Sequence, residues 1–233
     1  MDVLVVVHES DVTAGEVGNR LVHHGFKLNE HLVCPDRDDP TVGVPFPSVD
    51  NFDALLLLGS VRSLTEIDQL GSWPSEELEL ARAANACSMP TLGICFGGQV
   101  LAQALGGQVE VSPIPEIGWF DVTPTDPAKC PIDAGPWMQW HHDRFTAPAA
   151  AELLAHNETS QQLFKLGRSV GTQFHPEVDV SHVERWLAHC EDDYLRQHKV
   201  SPTELLTQTA LHESANRERC HQFVDWFVES VVN

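Results

Sequence analysis

The sequence is short of cations. Its 14 Lys and Arg stand against 34 Asp and Glu, leaving a formal charge of −20 with thirteen histidines counted as neutral. A surface of that sign repels phosphate backbones and anionic lipid headgroups, which argues against nucleic acid and membrane partners. Long hydrophobic runs are also missing. The longest strictly aliphatic stretch, Ala54 to Leu58, is far too short to span a bilayer, and Val3 to Val7 follows Asp2 with no Lys or Arg before it, so no targeting or transmembrane segment is read. The six cysteines have no C-x-x-C spacing, and in a chain of this length that points to reduced thiols and a cytoplasmic location instead of a disulfide framework. There is no G-x-x-x-x-G-K-[ST] phosphate loop, no internal repeat and no low-complexity linker. What remains is 233 residues, 42% of them apolar, enough to bury a sizeable core. A single domain over residues 1–233 is expected.

Strand and helix signals alternate from the start. Val3 to Val7 is a β-branched run that suits a strand buried on both faces, and Val17, Leu21 and Val22 mark a helix ending at Gly25. Leu32-Val33 closes a second strand, Asp53 to Leu58 is a third, Pro74 to Cys87 a helix and Thr91 to Ile94 a short buried strand. Between Gln108 and Phe174 the pattern changes to short β-like runs, Val109 to Val111, Gly118 to Val122, Trp137 to Trp140, Leu163 to Leu166 and Val170 to Phe174, separated by Pro, Gly, Asp and Asn. These predict mixed or antiparallel sheet added to a parallel core. Residues 179–233 predict a helical C-terminal extension packed on that core: Val183, Trp186, Leu187, Cys190 and Tyr194 form one stripe, Ser201-Pro202-Thr203-Glu204 forms a capping box, and Cys220, Phe223, Val224, Phe227 and Val231 form a last stripe. On these stripes Trp186 and Trp226 read as core.

The segment TLGICFGGQVLAQALGG, Thr91 to Gly107, carries the chemistry. A buried strand runs into Gly93-Ile94-Cys95-Phe96-Gly97 and a helix begins at once, the pattern of a nucleophile elbow that lifts the central side chain clear of the sheet. Cys95 then sits at a helix N-terminus, where unpaired N–H groups and the helix dipole stabilise a thiolate. The Phe96 N–H points at the same place and can stabilise an oxyanion. Taken alone, G-x-C-x-G also fits a core cysteine at a glycine-rich turn. A thiolate needs a base, however, and His175 terminates a β-like run with Pro176 and then Glu177 behind it, a carboxylate positioned to fix the imidazole tautomer.

LGICFGGQVLAQALGG together with QFHPE resembles the class I glutamine amidotransferases, and Glu116-Ile117-Gly118-Trp119 with Gln139-Trp140-His141-His142-Asp143 is similar to the stand-alone branch near the amidotransferase domain of GMP synthase. The resemblance implies a flavodoxin-like three-layer α/β sandwich with a largely parallel central sheet and the site at the strand C-termini. It implies Cys95 as nucleophile, His175 as general base and acid, Glu177 as its orienter, Phe96 N–H as one oxyanion donor and Gln99 at the substrate's amino-acid end, with Trp119 and His141 (and Trp140 beside them) near the substrate. No cofactor or metal is implied, and His141-His142-Asp143 with His189 and Cys190 lacks metal-ligand spacing.

Two departures stand out. Relatives place a Gly-Gly-Pro-type loop after the third strand to supply the second oxyanion donor, whereas this chain has Leu58-Gly59-Ser60-Val61. A positive φ at Ser60 would carry a steric cost, so either Ser60 or Gly59 supplies that donor. His142 also stands where relatives tend to have glycine. Three functions follow. One is a glutaminase feeding ammonia to a separate synthetase subunit. The others are a free-standing hydrolase of a γ-glutamyl amine or peptide, and a catalytically weak regulatory subunit.

Overall fold

The computed structural model describes residues 1–190 and 192–232. Nine strands form one mixed sheet in the order β2-β1-β3-β4-β9-β8-β7-β5-β6. Strands β1 (Asp2–Val7), β2 (Lys27–Leu32), β3 (Ala54–Leu57), β4 (Thr91–Ile94) and β9 (Ser169–Thr172) pair in parallel. Strands β5 (Gln108–Pro124), β6 (Gly135–Thr146), β7 (Glu152–His156) and β8 (Gln161–Leu166) extend it antiparallel. The protein is thus the expected α/β fold, a parallel core with antiparallel strands added along one edge.

The three layers follow from strand alternation in β1. Val3, Val5 and Val7 face one core together with Val17 and Leu21 of α1 (Gly15–His23) and Cys220, Phe223, Val224 and Phe227 of α6 (Pro202–Phe227). Leu4 and Val6 face the other, with Leu78 and Ala81 of α2 (Trp73–Ala86) and Val100 and Leu101 of α3 (Phe96–Ala104). A β-branched strand with apolar residues at every position is what two covered faces require. The last helix therefore enters the same core as the first strand, and full burial of a side chain such as Phe223 contributes about 1.5–3 kcal/mol. Ser201 caps that helix through Oγ, which accepts from the Glu204 N–H at 3.3 Å. No helix among the described residues is long and apolar enough to cross a membrane, and no disulfide joins any of the six cysteines.

Three elements differ from the sequence reading. The runs around Val109 and Gly118 belong to one strand, β5, whose register shifts between Val111 and Glu116 where Pro113 and Pro115 cannot donate to the ladder. Strand β7 carries no expected run. The stripe from Val183 to Tyr194 is divided between α4 (Val180–Ala188) and α5 (Asp192–Gln197).

Candidate functional site

A cavity of about 650 Å³ opens at the C-terminal ends of the parallel strands, lined by Gly59, Ser60, Cys95, Phe96, Gln99 and His175 on its strand side. Cys95 stands between β4 and α3 with φ 52° and ψ −106°, a conformation an L side chain adopts only under strain. The turn is enforced locally. A Cβ on Gly93 would lie 2.3 Å from the Gly97 carbonyl oxygen, so strand and helix approach too closely for any other residue there. The Cys95 N–H donates to the Thr172 carbonyl at 2.9 Å, and the Cys95 carbonyl accepts from the Gln99 N–H at 2.9 Å, which fixes the elbow to β9 and starts α3.

His175 follows β9 and is aligned by its own N–H, which donates to the Met138 carbonyl on β6 at 2.9 Å. Its Nδ1 donates to Glu177 Oε1 at 2.7 Å, with both side chains 5% exposed. Nε2 is buried and has no hydrogen-bond partner among the described residues. Burial alone favours the neutral ring, but the charges of Glu177 and Cys95 outweigh it and hold His175 up at about 10. The ring packs edge-on against Trp186, with centroids 4.9 Å apart. The Cys95 sulfur lies 3.8 Å from Gln173 Nε2, which donates to it, and 3.9 Å from the Trp140 carbonyl.

The other expected residues divide into those the fold brings together and those it does not. Gln99 lines the cavity but is 3% exposed, its Nε2 donating to the Asp143 carbonyl at 3.0 Å. His141 also lines it, with both ring nitrogens engaged: Nδ1 meets the Asp143 carbonyl at 2.9 Å, and Nε2 meets Gln139 Oε1 at 3.1 Å and Glu116 Oε2 at 3.3 Å. Burial pushes the Glu116 carboxyl up, yet hydrogen bonds from His141, Thr159 and Asn157 leave it below its ordinary value. Trp119 lies outside the cavity lining; its Nε1 donates to Thr209 Oγ1 on α6 at 3.1 Å, and the ring rests on His212. Trp186 packs against the small core cluster of Met138, Val178, Val183 and Leu205 as expected, and also lines the cavity with Trp140, His142, His189 and Tyr194. His142 meets the Tyr194 hydroxyl through Nε2.

The steric cost expected at Ser60 does not arise. Positive φ among described non-glycine residues is confined to Ser88, Cys95 and Lys199. Ser60 instead uses its side chain, donating through Oγ to Glu9 Oε1 at 2.9 Å while accepting from the Arg62 N–H at 3.1 Å. Gly59 matters for a different reason: a Cβ there would stand 3.2 Å from His175 Cε1, a tight contact that presses on the ring. Gln173 is a site residue that the sequence reading misses, although strand alternation puts it on the same side as His175 two positions on.

The family model for class I glutamine amidotransferases matches residues 17–190. The glutamine amidotransferase-like protein YfeJ of Salmonella typhimurium is 29% identical over 83% of this chain and 82% of its own. A glutamine-hydrolysing GMP synthase subunit of Sulfolobus acidocaldarius is 30% identical over 72% of this chain and 92% of its own. Against a whole GMP synthase, that of Aeropyrum pernix, the match is 34% identical but spans only 22% of that protein. Among solved structures, a glutamine amidotransferase from Thermotoga maritima superposes with a TM-score of 0.84 at 25% identity over 99% of both chains.

Proposed function

We propose that this chain, which belongs to the class I glutamine amidotransferase family, hydrolyses the side-chain amide of glutamine through a thioester on Cys95. The observation that carries the reading is the strained cysteine beside an imidazole whose far nitrogen is held by Glu177 at 2.7 Å. His175 keeps a proton on its ring at neutral pH, and Cys95 attacks as the thiolate. The thiolate adds to the amide carbon, and the oxyanion so formed is met by the Phe96 N–H at the start of α3 and by an N–H of the Gly59–Ser60 segment. The C–N bond then breaks as His175 gives its proton to the departing ammonia. Water, deprotonated by the now neutral His175, attacks the γ-glutamyl thioester, and the Cys95 thiolate leaves as glutamate is released. Glu177 holds the ring throughout without exchanging the proton. Every bond change is carried by side chains and amides of this chain, and no cofactor is required.

Gln99 and His141 support the substrate end indirectly in this reading, since both hold the Asp143 backbone at the cavity edge. The ammonia passes to a separate synthetase subunit. The relative from Sulfolobus acidocaldarius, itself one subunit of a GMP synthase, supports that arrangement, and six thiols unjoined by disulfides suit a cytoplasmic enzyme. A second reading, hydrolysis of a larger γ-glutamyl amine or peptide, is favoured by one feature: the cavity continues past Cys95 to Trp140, Trp186 and Tyr194, beyond what glutamine alone fills. Glutamate release by the purified protein from glutamine and a panel of γ-glutamyl compounds decides between them. Release from glutamine, accelerated by a synthetase, supports the first reading. Preference for a γ-glutamyl amine or peptide supports the second, and no release from any compound rejects both.

A further inference from the structure

His8, immediately after β1, is fully buried yet makes two polar contacts. Its Nδ1 lies 3.2 Å from the Gly59 carbonyl oxygen, and its Nε2 lies 2.9 Å from Glu77 Oε2 on α2. A carbonyl oxygen can only accept, so Nδ1 carries a proton; burial disfavours the charged ring, but the nearby charge of Glu77 outweighs it and leaves His8 above its ordinary value. The ring is locked between a helix carboxylate and one backbone carbonyl. That carbonyl belongs to the glycine packed against His175.

A peptide after glycine turns easily because no Cβ restrains it. Here the turn is stopped from three directions. Leu58, one residue earlier, accepts from the Gly97 N–H at 3.2 Å; Gly59 is held by His8; and Ser60 is tied through Oγ to Glu9, the residue after His8. In a trans peptide the carbonyl and the following N–H point in opposite directions. Holding the Gly59 carbonyl on His8 consequently turns the Ser60 N–H the other way, and Ser60 lines the same cavity as Cys95. The other donor is braced by the same ring: His8 packs edge-on against Phe96, with centroids 4.8 Å apart and planes at 73°.

We propose that His8, set by Glu77, is a positioning residue that fixes the Gly59–Ser60 peptide so that the Ser60 N–H is the second oxyanion donor. The assignment rests on the amide-hydrolysis reading above. It accounts for a serine being tolerated at position 60 without positive φ: a hole held open by a clamp does not need a peptide that flips.

The test replaces the buried ion pair as a pair, His8→Leu with Glu77→Met, because removing one partner alone strands a buried charge. Glutaminase kcat is expected to fall by about 10²-fold, within the range for one lost oxyanion donor, with KM changed less than about twofold. Alkylation of Cys95 by iodoacetamide, which forms no oxyanion, keeps its rate. Two further variants, each also carrying Glu77→Gln so that no buried charge is stranded, separate positioning from bulk structure: His8→Asn presents its amide N–H where Nδ1 was and retains most of kcat, whereas His8→Gln presents it where Nε2 was and does not. Equal losses in His8→Asn and His8→Gln, wild-type kcat in the pair variant, or a loss appearing in KM or in alkylation would each overturn the clamp. Crystal structures of the wild type and the pair variant read it without substrate, since an unmoved Gly59 carbonyl also overturns it. Absence of glutamate release by the wild type overturns the reaction instead.

Discussion

The two walls of the cavity are built on different principles. The strand-side wall, Gly59, Ser60, Cys95, Phe96 and His175, is set by close approaches of the chain: a Cβ at Gly93 would clash with the Gly97 carbonyl at 2.3 Å, and one at Gly59 would press on the His175 ring at 3.2 Å. The outer wall, Trp140, His142, Trp186 and Tyr194, is set by ring against ring, as in Trp140 on Trp186 at 5.5 Å and His142 on Tyr194 at 5.3 Å. Close approaches of this kind leave no room for another side chain, whereas ring contacts can be made by several. The strand-side wall should therefore answer mutation in kcat and the outer wall in KM.

The largest effect is expected at Cys95. Cys95→Ala should abolish glutamate release with the fold intact by circular dichroism, and a glutamine-like diazo-ketone should label Cys95 alone in the wild type. Its competitors are handicapped: burial pushes the Cys34 thiol up to about 11, with help from the charge of Glu9, and burial drives Cys220 well above its ordinary range. Labelling at Cys34 or Cys220 with Cys95 spared would break the comparison at its root.

Next comes Glu177→Gln, which should lower kcat by about 10²–10⁴ through loss of the ring's tautomer and orientation. It should also move the basic limb of the kcat/KM profile to lower pH, because burial then acts on His175 without its carboxylate. The sign for stability is the same. A histidine raised from 6.5 to about 10 stabilises the fold fully below 6.5 and loses that contribution as pH rises through 10. The Tm gap between wild type and Glu177→Gln should narrow at high pH; a constant gap would detach the shift from Glu177.

Gly59→Ala should follow, with kcat down by about 10² as the new methyl displaces His175, while KM stays nearly constant. The smallest effect is expected on the outer wall. His142→Ala should change KM by about two- to tenfold and kcat by less than about twofold, and a kcat loss matching that of Gly59→Ala would erase the distinction between the walls.

Legibility in the sequence follows the same division. Strand β1, the elbow at Cys95 and the segment from Gln173 to Glu177 are each local patterns, and local patterns survive in a linear reading; that Cys95 and His175 belong together is legible only through the family resemblance. Strand β5 reads as two pieces because Pro113 and Pro115 imitate a break, and only the pairing with β6 shows one strand continuing through a register shift. Trp186 reaches the cavity and Trp119 does not for a related reason: apolar periodicity tells which side of an element is apolar, and not whether another element covers it. The sequence around Ser60 speaks only of the backbone it would need if it stood alone. Its actual partner, Glu9, lies 51 residues away, and the His8–Glu77 pair spans 69, separations at which no spacing rule operates.

The dihedral angles of Cys95 imply something about inheritance. Holding an L residue at φ 52° costs the folded chain on the order of 1–3 kcal/mol, a debt that glycine would not carry. A Cys95→Gly chain should accordingly melt at a higher temperature than the wild type while being chemically dead. Selection for robustness alone would steadily push this codon toward glycine, so the cysteine persists only where its reaction is in demand. A strained residue lining a cavity is, on this account, a record of use.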